Sequence, residues 1–152
     1  SSKKTPEEIK SAVKQAVKDV IAKRGLHVKS CNMGVQNVLN ILYGNTELND
    51  KNANDIVRYW QSHPNSWEKI SMSQAQSLAN QGYLVVAGWI NTTGGSGHVV
   101  VIVPGEEQYS GIWQCKVPNS MDTGENMRTS SQKLSYSFRS WMKDGIEFFK
   151  YK

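Results

Sequence analysis

Cysteine is scarce in this chain: Cys31 and Cys115 are the only two among 152 residues. Two are too few for a disulfide-built scaffold, and a chain of this length buries a core without metal or disulfide staples. They leave open one disulfide or a pair of free thiols. Long apolar runs are missing as well, none approaching the roughly 20 residues that cross a bilayer, so no membrane span is expected. The N-terminal segment has no signal-peptide core. It starts at Ser1 rather than Met, which is compatible with a leader already removed, so this end leaves the compartment open. No cluster of Cys, His, Asp or Glu shows metal-ligand spacing, and neither metal nor cofactor is expected. The "GGSG" piece lacks the Gly-Lys-Ser/Thr ending of a phosphate-binding loop, and no Gly-x-Ser-x-Gly nucleophile elbow occurs.

Acidic residues are also in deficit, 13 against 18 Lys and Arg, for a net charge of +5. Much of the excess lies in the first 30 residues, between Lys3 and Lys29. A basic balance favours an anionic partner: nucleic acid, a membrane surface or a cell-wall polymer. A solvated helix face is the plainer account of that cluster. No recognition motif of a nucleic-acid-binding family is present, so nucleic acid is not expected as a partner.

The elements divide into helices first and strands second. Thr5, Pro6 and Glu8 form a capping-box start. Ile9, Val13, Ala16, Val17 and Val20 then recur on one helical face up to Gly25. A second helix starts near Ser30 or Cys31 and ends at Gly44-Asn45. A third spans Asn52 to Gln61. A fourth runs from Ser71, with Gln74 as capping-box partner, to Gly82. Strands are predicted at Tyr83–Ile90 and His98–Val103, and in "SGIWQCKV" after a turn around Glu106–Ser110. Weaker ones follow at Lys133–Phe138 and Ile146–Tyr151. No repeat, low-complexity tract or linker interrupts residues 1–152, which read as one α+β domain with helices packed on an antiparallel sheet of about five strands.

Two residues stand out against this frame. Cys31 falls in the first turn of the second helix, where unsatisfied backbone N–H groups favour a thiolate. His98 opens a strand directly after the glycine-rich turn "NTTGGSG", and the run "VVVIV" behind it fixes that strand in the core. A rigid base facing a helix-terminal thiol is the geometry of cysteine nucleophilic catalysis. Taken singly, a lone cysteine is more often structural and a strand-initial histidine more often a satisfied polar residue. His27 lies in a basic loop and His63 in the turn "QSHPNS", so both are weaker candidates. Trp60, Trp67, Trp89 and Trp113 read as core aromatics, with a groove wall as the alternative for one or two of them.

Four pieces, "CNMGVQNVLNILYG", "NANDIVRYW", "GYLVVAGW" and "GHVVVIVPG", occur in the order shown by papain-like cell-wall amidases, the NlpC-type and CHAP-type cysteine peptidases. The chain resembles in particular the type VI secretion amidase effectors that attack peptidoglycan. The resemblance covers Cys31 to Gly105, about half the chain. It implies a papain-like fold with Cys31 as nucleophile, His98 as general base and the Cys31 backbone N–H as an oxyanion donor. It further implies cleavage of a stem-peptide bond, between γ-D-glutamate and the diamino acid. The context it suggests is a secreted or periplasmic, monomeric antibacterial toxin with an immunity protein as partner. Two features depart from the pattern. The nucleophile motif is Ser30-Cys31-Asn32 rather than Asp-Cys-Ser, and the residue orienting the imidazole is not evident. If the hairpin turns near Glu107–Gln108, Asn119 returns beside His98, with Asp122 and Cys115 as alternatives. Two other readings stand beside this one. The first is a papain-like protease or acyltransferase with another substrate. The second is a non-catalytic basic module that binds cell wall or a partner and carries a Cys31–Cys115 disulfide.

Overall fold

A computed structural model describes residues 3–152. Helix α1 spans Pro6–Arg24, with the Thr5–Glu8 capping box formed and Glu7 and Glu8 in the positive first turn. Helix α2, Cys31–Tyr43, ends at Gly44 in the left-handed conformation, and α3, Ala53–Ser62, is capped by the Asn52 side chain. After strand β1, Trp67–Ile70, comes α4, Met72–Asn80, again opened by a capping box, Ser71 with Gln74. Strands β2 (Val85–Trp89), β3 (His98–Ser110), β4 (Cys115–Asp122) and β5 (Thr129–Lys133) follow in sequence. A single helical turn α5, Leu134–Ser137, and a 3-10 turn, Ser140–Gly145, lead to the last strand β6, Glu147–Tyr151.

All strand pairs are antiparallel, in one sheet of order β1-β6-β2-β3-β4-β5. The α+β class is as expected, but the sheet has six strands and is not a plain meander. The final strand β6 inserts between β1 and β2, so the C-terminus closes the sheet next to a strand formed far earlier. Strand β1 was not foreseen. Its Trp67 and Ile70 are buried while Glu68 and Lys69 face water, a pattern too short to show as alternation. The segment expected as a strand over Lys133–Phe138 divides into the end of β5 and α5. In "SGIWQCKV" the turn takes up Gly111–Gln114 and the strand starts only at Cys115. Strand β3 therefore runs on past the expected turn to Ser110, accommodated by an irregularity between Val103 and Gln108.

The central strands are buried on both faces, which is why "VVVIV" carries no polar alternation. Val99, Val101 and Val103 meet α1, α2 and α3 on one side, in a cluster that includes Ile9, Leu39, Ile56 and Trp60. Val100 and Ile102 meet α4 and the α5 region on the other, with Ala75, Ala79, Leu134 and Phe138. Cys31 borders the first cluster and Cys115 the second, and both are free thiols. The two cysteines thus belong to opposite faces of the sheet, and the disulfide considered for them is not formed. No helix among the described residues is long and apolar enough to cross a membrane.

Helix α2 sits unusually close to the end of β4. A Cβ added at Gly34 would run into the Thr123 hydroxyl, and would lie 3.0 Å from the Met121 methyl. Alanine in a helix interior gains about 1 kcal/mol over glycine, whereas overpacking costs about 1–3 kcal/mol. Gly34→Ala is therefore expected to be net destabilising in chemical denaturation. A net gain in stability would show that the contact between α2 and β4 yields freely.

Candidate active site

Strand β4 ends in Asp122, a carboxylate only 1% exposed. A charge so deep must be paired and hydrogen-bonded. Its Oδ2 lies 2.8 Å from His98 Nε2, and its Oδ1 accepts from the Gly124 backbone N–H at 2.8 Å. The imidazole is 20% exposed. Its ring also packs edge-on against Phe138, with centroids 5.1 Å apart. With Nε2 committed to Asp122, Nδ1 is the ring nitrogen left for another partner. Gly124 keeps that edge of the ring clear, since a Cβ there would come within 2.8 Å of His98 Cε1.

Cys31 acts on the same ring, through a hydrogen bond and its charge. Thiol and imidazole line one cleft of about 910 Å³, walled by the start of α2, the start of α3, the loop before β3 and the segment Ser137–Met142. Burial acts to lower the imidazole pKa. The charge and hydrogen bond of Asp122, joined by those of Cys31, outweigh it and raise the pKa from 6.5 to about 10. His98 is accordingly an imidazolium at neutral pH. A thiol, an imidazole and a carboxylate in series can pass a proton from sulfur to nitrogen and hold the resulting charge.

The surroundings fix these three groups relative to one another. Thr123 Oγ1 donates to the Ser30 carbonyl at 2.9 Å, tying the residue before Cys31 to the residue after Asp122. Arg128 adds a clasp. Its guanidinium donates to the carbonyls of Gly25 and Val28 on the α1–α2 connection, and to those of Thr123, Gly124 and Met127 on the β4–β5 connection. His27 Nδ1 and Asn126 Oδ1, 2.9 Å apart, join the same two loops. On the other wall, Asn54 accepts from the Asn91 N–H and so pins the glycine-rich loop to α3. The Ser30 hydroxyl is turned away from the helix end and donates to Val28 O, so α2 has no side-chain cap. The first N–H groups of a helix have no i−4 acceptor; here Met33 N–H turns to the Ser30 carbonyl, and those of Cys31 and Asn32 stay available where Cys31 opens the helix.

The other residues singled out above fall elsewhere. Asn119 does not meet His98. It pairs across β3 with Val103, and its backbone and side-chain N–H groups donate to Gln76 of α4. The place beside the ring belongs to Asp122, the alternative, and Cys115 is remote at the start of β4. His63 stacks on Tyr59 on an exposed surface. Trp60, Trp67 and Trp113 are buried, whereas Trp89 is half-buried and lines the cleft. Among the described residues no three His, Cys, Asp or Glu side chains converge as metal ligands. Thr123, Gly124 and Arg128 escaped sequence reasoning. The local signal for them is a carboxylate followed two residues on by glycine at a strand end, in "MDTG".

Compared with models of known protein families the chain matches none, and no curated protein matches it.

Removing the carboxylate should be visible at the ring. In an NMR titration His98 is expected to lose its proton near pH 10 in the wild type, and near or below 6.5 in Asp122→Asn, where burial acts without the compensating charge. A raised folded-state pKa stabilises fully below the unfolded value and stops doing so above the folded one. The part of the stability gap that comes from His98 should thus be full below about pH 6.5 and be lost by about pH 10. An unmoved His98 titration would contradict the pairing.

Proposed function

We propose that the protein is a cysteine amidase of the papain-like type that cleaves a stem-peptide bond of peptidoglycan. The single observation that carries the chemistry is the series Cys31, His98, Asp122 at the edge of an open cleft, with the thiol at a helix start whose N–H groups are unspent. The Cys31 sulfur, its proton already resting on His98 Nδ1, attacks the carbonyl carbon, and the carbonyl π electrons move to oxygen. The oxyanion that forms lies against the N-terminus of α2, where the Cys31 N–H is the foremost donor. The His98 imidazolium then protonates the leaving amine, and the C–N bond breaks to leave a thioester on Cys31. Water, deprotonated by the same ring, attacks the thioester. The acid product leaves and the thiol is restored. Asp122 holds the ring with Nδ1 toward sulfur and stabilises its charge throughout.

The substrate rests on different grounds: the order of the four sequence pieces shared with cell-wall amidases, and the net positive charge, which suits an anionic wall polymer through salt-sensitive attraction. The bond between γ-D-glutamate and the diamino acid is the one that resemblance indicates. A wall substrate places the action outside the cytoplasm or in the periplasm. Delivery into a target bacterium, with an immunity protein in the producer, belongs to the same reading.

Mass spectrometry of muropeptides after digestion of purified peptidoglycan tests both parts. The wild type should release stem fragments split at one bond. Cys31→Ala should lose at least about a thousandfold in rate with its thermal transition kept, and Asp122→Asn at least about a hundredfold. His98→Ala should be as inactive as Cys31→Ala and less stable, since it strands a buried carboxylate. Full activity in Cys31→Ala would refute the mechanism. An inert wild type that hydrolyses other acyl compounds would refute the substrate and leave the mechanism standing.

A further inference from the structure

The side chains that line the cleft are unevenly charged. Besides His98, the ionisable groups facing it with Cys31 are Lys29, Arg139 and Glu125. Among the described residues the Lys29 ammonium and the Arg139 guanidinium have neither an ion-pair nor a hydrogen-bond partner. Both belong to the immediate neighbourhood of the reactive groups. Lys29 lies two residues before Cys31, and Arg139 follows Phe138, whose ring packs on His98. Two of the three amides on the cleft walls turn their donors into the protein. Asn32 Nδ2 donates to Lys51 O, and Asn54 Nδ2 to the carbonyls of Asn91 and Gly95. Among the ionisable groups of the cleft, the unspent ones beside sulfur are two cations, backed by the open end of α2, against the single carboxylate of Glu125.

We infer that the cleft is a carboxylate-binding site, in which Arg139 and Lys29 hold a free carboxylate carried by the ligand next to the carbonyl that Cys31 attacks. A guanidinium without an internal partner offers two parallel N–H groups to a carboxylate, a geometry an ammonium does not have. Lys29 adds a point charge from the α2 side. The ligand class is an acidic peptide or acyl compound with its carboxylate close to the scissile bond. A neutral or cationic ligand would leave both cations unpaired as it covered them. The inference rests on the Cys31–His98 pair being reactive, but not on peptidoglycan being the substrate.

Two alkylating probes of nearly equal size separate charge from reactivity. Iodoacetate carries a carboxylate and iodoacetamide does not. In both, the sulfur displaces iodide, forming an S–C bond as the C–I bond breaks. The readout is the ratio of the two rates at Cys31, followed by peptide mass spectrometry at low salt, with glutathione as the reference thiol. The wild-type ratio should exceed that of glutathione. It should fall about fivefold in Lys29→Gln/Arg139→Gln, fall similarly in 0.5 M salt, and rise in Glu125→Gln. Lys14→Gln/Lys18→Gln removes the same charge from α1 outside the cleft and should leave the ratio as it is. An equal ratio in wild type and the Lys29/Arg139 variant would overturn the inference. So would an equal fall in the Lys14/Lys18 variant, which would assign the effect to net charge. Cys31 no more reactive than glutathione toward iodoacetamide would overturn the reactive pair as well, an outcome distinct from either of these.

Discussion

A carboxylate has been carried to the inner end of a strand and closed off from water, and the arrangement of the site follows from the need to pair it. Asp122 is 1% exposed, so its charge has to be met by fixed partners. Two are supplied, the His98 ring and the Gly124 N–H, and each constrains the chain. The ring is drawn in with Nε2 toward the carboxylate, which leaves Nδ1 facing the cleft. The backbone after Asp122 turns back so that Gly124 donates, and this places Thr123 beneath the start of α2. One buried charge thereby orients the base and locates the helix that carries the thiol.

The rest of the fold makes that placement rigid. Strand β3 is buried on both faces, so His98 is anchored by the side chains behind it rather than by its own contacts. Gly34 lets α2 descend onto Thr123, and the Arg128 guanidinium joins the two loops that flank Cys31 and Asp122 through five carbonyls. A helix start held by tertiary contacts needs no side-chain cap, which accounts for the Ser30 hydroxyl turning to Val28 O. The N–H groups left uncapped are the same ones an oxyanion requires.

Much of this was legible from local chemistry. Caps at Thr5 and Ser71, the helical stripe of α1, the helix opening at Cys31 and the strand opening at His98 are all short-range signals, and each element stands where expected. What escaped depends on pairing between distant segments. The orienting residue was sought at Asn119 because the hairpin was expected to turn near Glu107–Gln108, whereas it turns at Gly111–Gln114. In the actual register Val101 pairs with Met121, so continuing from Val101 back to His98 carries the partner strand past Met121 to its Asp122 end. A displaced turn therefore exchanged one polar residue for another. Strand β1 and the insertion of β6 were hidden for a related reason: both are short, and β1 is a strand only because β6, itself paired with β2, lies beside it.

The central claim is that sulfur, imidazole and carboxylate act as one unit. The most direct test is the rate of Cys31 alkylation by iodoacetamide at pH 7 in the wild type, His98→Ala, Asp122→Asn and the double variant. A single unit predicts that each substitution slows the reaction strongly and that the double variant is little slower than His98→Ala, because Asp122 acts only through the ring. A rate in His98→Ala equal to that of the wild type would contradict the account, as would losses that multiply in the double variant.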